Sequence, residues 1–194
     1  MRRLFAAALL TVAVCGRAGA EPAAPQVLEL EGRLGGRKQF LNKGDDLKLD
    51  APFWVSKGGR AILRVAGGVV LIKGPAHFVP KTDGFILKLG SLLSVLPNLN
   101  GRDYRVRTVA AVAAVRGTEF FVEAERGGTT YLCLCHGAVD VTPASRGDAE
   151  PAHLKADHHT EFEFRDDGGR LVQTPAGMRG HSDEEVMSLR KLVQ

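Results

Sequence analysis

The stretch YRVRTVAAVAAVRGTEFFVEAERGGTTYLCLCHGAVDVTP, residues 104–143, decides the fold. Its apolar residues come in short runs, cut by glycine at Gly117, Gly127-Gly128 and Gly137. Arg105 and Arg107 alternate with Val106, and Cys133 and Cys135 alternate with Leu132 and Leu134. A period of two belongs to a strand with one buried face. The stretch predicts at least three strands.

The same grammar runs outward on the N-terminal side. AILRVAGGVVLIKG (61–74) is two short strands around Gly67-Gly68, and HFVPKTDGFILKLG (77–90) repeats the device around Asp83-Gly84. LLSVLP (92–97) is a further strand, ended by Pro97 and the loop NLNGRD. Strands at this density, with no helical stripe before residue 182, predict an all-β domain: a compact sandwich or short β-roll. Beyond it, RDDGGRLVQTPAGMRG allows one hairpin around Gly168-Gly169.

HSDEEVMSLRKLVQ (181–194) breaks the pattern. Ser182 followed by Glu185 is a capping box, and Val186, Leu189 and Val193 share one helical face. Arg190 and Lys191 suit the negative end of the helix dipole. One short C-terminal helix is expected.

The N-terminus carries an address. MRRLFAAALLTVAVCGRAGA has Arg2 and Arg3, an apolar run from Leu4 to Val14, and the small residues Ala18-Gly19-Ala20. That is the layout of a secretory signal peptide, with cleavage expected before Glu21. The run is too short to cross a hydrocarbon core of ~30 Å, which takes ~20 residues. Cys15 offers the alternative of a lipid anchor, which Val14 before it disfavours. Cleavage removes Arg2, Arg3 and Arg17 and no acid, hence three of the four formal positive charges, and a nucleic-acid partner loses its electrostatic basis. The expected plan is a signal peptide at 1–20, a lead-in at 21–26, a β domain at 27–164, and a linker with the helix at 165–194. No later stretch is apolar enough for membrane insertion, so the mature protein is expected in the periplasm.

Four segments then fall into a known order. GGRAILRVAGGVVLIKGPAHFV (58–79), LKLGSLLSVLP (87–97), YRVRTVAAVAAVRGTEFFVEA (104–124) and CHGAVDV (135–141) resemble the FecR domain, most specifically in VRGTEFFV at 115–122. The resemblance covers about residues 27–164. It implies an all-β periplasmic domain of the kind found in transmembrane regulators that relay a signal to a sigma factor. This chain shows neither a cytoplasmic N-terminal domain nor a retained membrane helix, so the fold and compartment carry over and the anti-sigma activity does not. Within VRGTEF, Gly117 permits a positive φ, and Arg116 is placed to pair with Glu119 or hold a turn.

The family pattern sends Leu132 and Leu134 into the core, then Val139 and Val141 beyond a bulge at Gly137. Cys133 and Cys135 then share the opposite face, ~7 Å apart in a regular strand. Four readings stand side by side. A disulfide needs local bending, since an extended strand holds the two Cα atoms near the ~7 Å limit. Metal ligation suits two thiolates on one strand face, with zinc or copper as the ion. A redox pair has no other support in the sequence. Two buried small hydrophobes need nothing further.

Histidines favour the metal. ADHHTEFEF (156–164) puts His158 and His159 at a turn entering the next strand, and His181 precedes the helix cap. Cys133, Cys135, His158, His159 and His181 are the candidate ligands, with Asp157 or Glu161 placed to orient an imidazole. Adjacent histidines point to different sides, so one of His158 and His159 is expected to ligate. His136 is expected to point away, His77 to be structural, and His153 to serve in either way. No GxSxG, HExxH or phosphate-binding loop is present, so no enzyme is expected. Asp45-Asp46 and Asp166-Asp167 read as polar turns rather than calcium sites, and Trp54 as a cap on the core or a surface aromatic contact.

The sequence thus predicts an exported, non-enzymatic FecR-type module for binding, scaffolding or sensing, with a protein or envelope component as partner. The alternative is a zinc- or copper-binding protein built on the cysteine pair and the histidine turn.

Overall fold

The computed structural model describes residues 24–193 apart from 38, 98, 100 and 116. The expected leader and cleavage point, Cys15 and the expected role of Arg116 lie outside the described residues.

Among the described residues, short apolar runs punctuated by glycine become fourteen strands and one helix. The first half comprises β1 (Gln26–Glu31), β2 (Leu34–Gly35), β3 (Phe40–Leu41), β4 (Phe53–Val55), β5 (Arg60–Val65), β6 (Gly68–Lys81) and β7 (Gly84–Leu96). The second comprises β8 (Tyr104–Arg107), β9 (Ala111–Val115), β10 (Thr118–Ala124), β11 (Thr130–Pro143), β12 (Ala152–Ala156), β13 (Thr160–Asp167) and β14 (Arg170–Pro175), then α1 (Asp183–Arg190). The all-β class with one short C-terminal helix is what the chain adopts. Its sheet runs on through β14, past the boundary expected at residue 164. Among the described residues no helix is long and apolar enough to cross a membrane.

Five of these strands close on themselves. β7 pairs with β10, β10 with β11, β11 with β9, β9 with β8, and β8 returns to β7. The closing pair is parallel, with Gly84–Ile86 against Arg105–Arg107, and the other four are antiparallel. Closure removes the edges a flat sheet would expose. The remaining strands extend the barrel wall: β6 on β7, β5 and β4 on β6, β1 on β5, β2 on β4 and β3 on β2, then β12 and β13 on β11, and β14 on β13.

Two apolar cores result, one on each side of the wall. The larger fills the barrel and the hollow beside it, with Leu92, Phe120, Val122, Leu132, Leu134, Val139 and Val141 all nearly inaccessible. The smaller lies outside the wall and contains Val69, Leu71, Leu93, Val95, Phe121, Tyr131, Cys133 and Cys135, covered by Val186 and Leu189 of α1. A strand in this wall is apolar on both faces, unlike a sheet with one face in water.

β11 serves both cores by changing register. Glu119 lies opposite His136 while Phe120 lies opposite Leu134, so one extra residue sits on β11 at Cys135. The inward set shifts from even (Leu132, Leu134) to odd (Val139, Val141) as expected from the sequence, but the extra residue is Cys135 and not Gly137, where the bulge was expected. Gly137 has φ +103, and a Cβ there would stand 2.7 Å from Thr118 Cγ2, so only glycine fits the bend.

The C-terminal arm, residues 176–193, returns across the outer face. The capping box is formed: Ser182 Oγ accepts from Glu185 N–H, and the Glu185 carboxylate accepts from Ser182 N–H. Lys73 pairs with Glu185 at 2.6 Å, and Arg190 makes a bidentate pair with Glu119. Trp54 lies on the outside of β4, edge-on to Phe40, while Phe53 faces the core. Asp45 and Asp166 accept backbone N–H bonds that hold polar turns, as expected.

Candidate metal centre

The centre is built where the arm crosses β11. Tyr131 is the first outward residue of that strand to hold the arm: its hydroxyl donates to Gly177 O and accepts from Arg179 N–H, both at 3.1 Å. The Arg179 guanidinium stacks 4.2 Å above the Tyr131 ring and pairs with Glu125 and Glu163 at 2.6 and 2.8 Å. Gly180 then turns the arm with φ +78, against the Phe121 ring, where a Cβ would lie 2.5 Å from Cζ. His181 follows and stacks flat on Phe121, with centroids 4.7 Å apart and planes 14° from parallel. These contacts place its imidazole above Cys135.

Each imidazole is held by its far nitrogen. His181 Nδ1 lies 3.1 Å from Arg179 O, and a carbonyl only accepts, so Nδ1 carries the proton. Its Nε2 is left facing Cys135 Sγ at 3.3 Å. His159 is the mirror case: Nε2 donates to Asp183 Oδ1 at 2.7 Å, and Nδ1 faces Cys133 Sγ at 3.2 Å. With an ion between them and the sulfurs, rings held in this way would each turn a lone pair to the ion, an arrangement typical of metal-bound histidine.

Cys133, Cys135, His159 and His181 bring their donor atoms within 4.8 Å of one another, and this cluster could hold a metal ion. Metal–sulfur bonds of ~2.3 Å and metal–nitrogen bonds of ~2.0 Å at a tetrahedral angle put sulfur and nitrogen ~3.5 Å apart, close to the two observed contacts. Both cysteines are free thiols, 0% and 6% exposed. Their face points away from the barrel interior, yet it is buried, because the arm covers it. The bulge at Cys135 turns the two sulfurs toward one point, closer than the spacing of a regular strand.

Burial and charge set the protonation. The Cys133 thiol is pushed down to about 4, first by a hydrogen bond from the Cys135 thiol and then by His181 and His159, against the cost of burial. Cys135 moves up as the partner that keeps the proton. The pair thus holds one thiolate and one thiol. Asp183 is held below the usual carboxylate range, chiefly by its bond to His159. Burial opposes the charged form of His159, but the bonds to Cys133 and Asp183 raise it overall.

The five expected ligands divide. Cys133, Cys135, His159 and His181 come together, and His158 does not join them. It is exposed, with its ring 4.7 Å from that of His159, because adjacent residues entering a strand face opposite ways. His158, His159 and Asp183 form a second, outer donor group. The residue orienting His159 is Asp183 and not Asp157 or Glu161, since α1 brings its first residue over the turn. His136 points away as expected, toward Asp157 O, and His153 pairs with Asp140 at 2.6 Å. His77 lies exposed on β6, opposite Trp54. Asp183 and the Arg179 carbonyl escaped the sequence reading, although an acid two residues after a histidine at a helix start was a usable signal.

Comparison with known proteins bears on the fold. No protein-family model matches the chain, and no curated protein is significantly similar to it. Among solved structures of related fold is a candidate anti-sigma factor from Parabacteroides distasonis, at a TM-score of 0.51 and 16% identity, covering 64% of this chain. A second structure with the same description scores 0.49 at 17% identity over 64% of the chain. This chain spans 59% of the length of those proteins. At that identity the likeness is a distant one of fold, and it agrees with the FecR-type resemblance read from the sequence.

Proposed function

We propose that this protein is an exported, non-enzymatic FecR-type module whose C-terminal arm is stapled to the barrel by a zinc ion. Cys133, Cys135, His159 and His181 would supply the four ligands. The observation that carries the reading is the pairing of sulfurs with imidazoles whose far nitrogens are both engaged, by Asp183 and by Arg179 O. Two thiolates and two imidazoles in a buried cage favour zinc, with copper(I) the competing soft ion. Four protein ligands leave no open position for substrate, which makes the role structural.

Three ligands belong to the wall, on β11 and the turn before β13, and one belongs to the arm. An ion there adds a link between segments that the Tyr131 hydrogen bonds, the Arg179, Lys73, Arg190 and His159–Asp183 pairs and the Phe121 face also join. The leader-like N-terminus supports a periplasmic site of action, and the fold likeness to a candidate anti-sigma factor supports a protein or envelope component as partner. Near-neutral charge after cleavage disfavours nucleic acid.

Metal analysis of the mature protein, purified under reducing conditions, tests the proposal. One zinc per chain is expected, lost in Cys133→Ser and in His181→Ala. Copper(I) at the same stoichiometry changes the ion and keeps the cage. No bound ion under these conditions rejects the cage and leaves two cysteine–histidine hydrogen bonds.

A further inference from the structure

A buried cage needs an access route, and the fold leaves one. The barrel wall closes it from below and the arm from above. Beside them a solvent-open recess of about 260 Å³ reaches both Cys135 and His159, and His158, Asp157 and Asp183 stand on its wall. Arg190, on the same wall, is neutralised by its bidentate pair with Glu119. The recess therefore keeps the negative charge of Asp157 and Asp183, which favours a cation.

The outer donor group sits at this recess. His158, His159 and Asp183 bring one ligand atom each within 4.8 Å of one another. The His158 side chain makes no hydrogen bond among the described residues, although it lies against His159. His159 belongs to both groups: Nδ1 faces the cysteines and Nε2 faces Asp183. One imidazole ring therefore separates an outer set of nitrogen and oxygen donors from an inner set that includes two sulfurs.

We propose that His158 and Asp183, set beside the outer edge of His159 and completed by water, form a second, weaker position for a borderline divalent cation, which receives the ion from solution and loads the cage. This rests on reading the cage as a metal site. Nitrogen and carboxylate donors open to water bind such ions, and exposure leaves the remaining positions to exchangeable water. The thiolates bind a soft or borderline ion more tightly, so transfer runs inward. Solvent exposure of His158 fits a ligand that engages an ion briefly and lets it go.

Cobalt(II) is the probe. Rapid mixing of the reduced full chain with cobalt is followed by the thiolate-to-cobalt charge-transfer absorbance, which reports the inner cage alone. In His158→Ala the rate of appearance should fall by about tenfold, while the final amplitude and the equilibrium affinity of the cage stay within about twofold of wild type. His153→Ala, an exposed histidine on β12 away from the recess, should leave the rate unchanged. An unchanged rate in His158→Ala overturns the loading position. So does a loss of affinity equal to the loss of rate, which would make His158 a ligand of the cage itself. Absence of any charge-transfer band in the wild type instead overturns the cage, and the loading position with it.

Discussion

His181 Nε2 lies 3.3 Å from Cys135 Sγ across 46 positions of sequence, and this contact joins the C-terminal arm to the barrel wall. The rest of the arm is arranged to deliver that imidazole: Tyr131 and Arg179 hold the approach, Gly180 makes the turn, and Phe121 supports the ring.

Metal binding and arm docking should therefore be linked. An ion that binds only the docked state stabilises it by about 2.7 kcal/mol at a free concentration of about 100 Kd. For a chain of this size that corresponds to a rise in Tm of roughly 5–10 °C. Thermal melts with zinc and with a chelator should show the difference. His181→Ala should abolish it while still melting cooperatively.

The pH dependence follows from the cysteine pair. In the metal-free, reduced protein one thiolate should persist in acid down to about 4, the depressed value of Cys133. A depressed folded value contributes stability that is fully present above the unfolded thiol value of ~8.5 and is lost as pH falls through the folded one. Thiolate ultraviolet absorbance against pH checks this. Cys135→Ala should move the midpoint upward, because the thiol hydrogen bond from Cys135 is the largest cause of the depression. The His159–Asp183 pair adds an acid limit of its own. Asp183, depressed by that bond, loses its contribution as pH falls below the ordinary carboxylate range. His159, raised, contributes fully below ~6.5 and loses its contribution as pH climbs through its folded value.

Gly180→Ala should loosen the arm without touching a ligand. Its φ of +78 costs a side-chain-bearing residue about 1–2 kcal/mol, and the new Cβ would press on the Phe121 ring. Zinc affinity should fall by about tenfold or more. Cleavage by protease between residues 176 and 182 should accelerate in the chelated protein.

The two faces of β11 should respond differently. Leu132→Ala empties a fully buried barrel position and should cost about 2–5 kcal/mol in denaturant melts, with zinc stoichiometry kept in the folded fraction. Cys133→Ser on the neighbouring outward position should lose the ion, and its stability should no longer respond to added zinc.

Much of this was legible in the chain. Alternation over residues 104–143 and glycine at each turn were enough for the strands, because strand period and turn chemistry are local properties. Ser182 and Glu185 announced the helix start for the same reason. The parity switch between Leu134 and Val139 implied the bulge, and with it the direction of both sulfurs. Barrel closure was not legible: the parallel pairing of β8 with β7 joins segments whose own patterns fit an open sandwich equally well. Nor was the choice among the five histidines after the cysteines. His159 rather than His158 faces the sulfurs because the turn enters β13 in the register Leu134 opposite Thr160. His181 joins, oriented by Arg179 O, because the arm folds back over a second apolar face, which also brings Asp183 to orient His159. The sequence by itself determined which residues carry ligand chemistry and which way each strand presents them, since those follow from residue type and a period of two. Only the tertiary structure decided which donors meet, since that depends on where a distant segment finds apolar surface to cover.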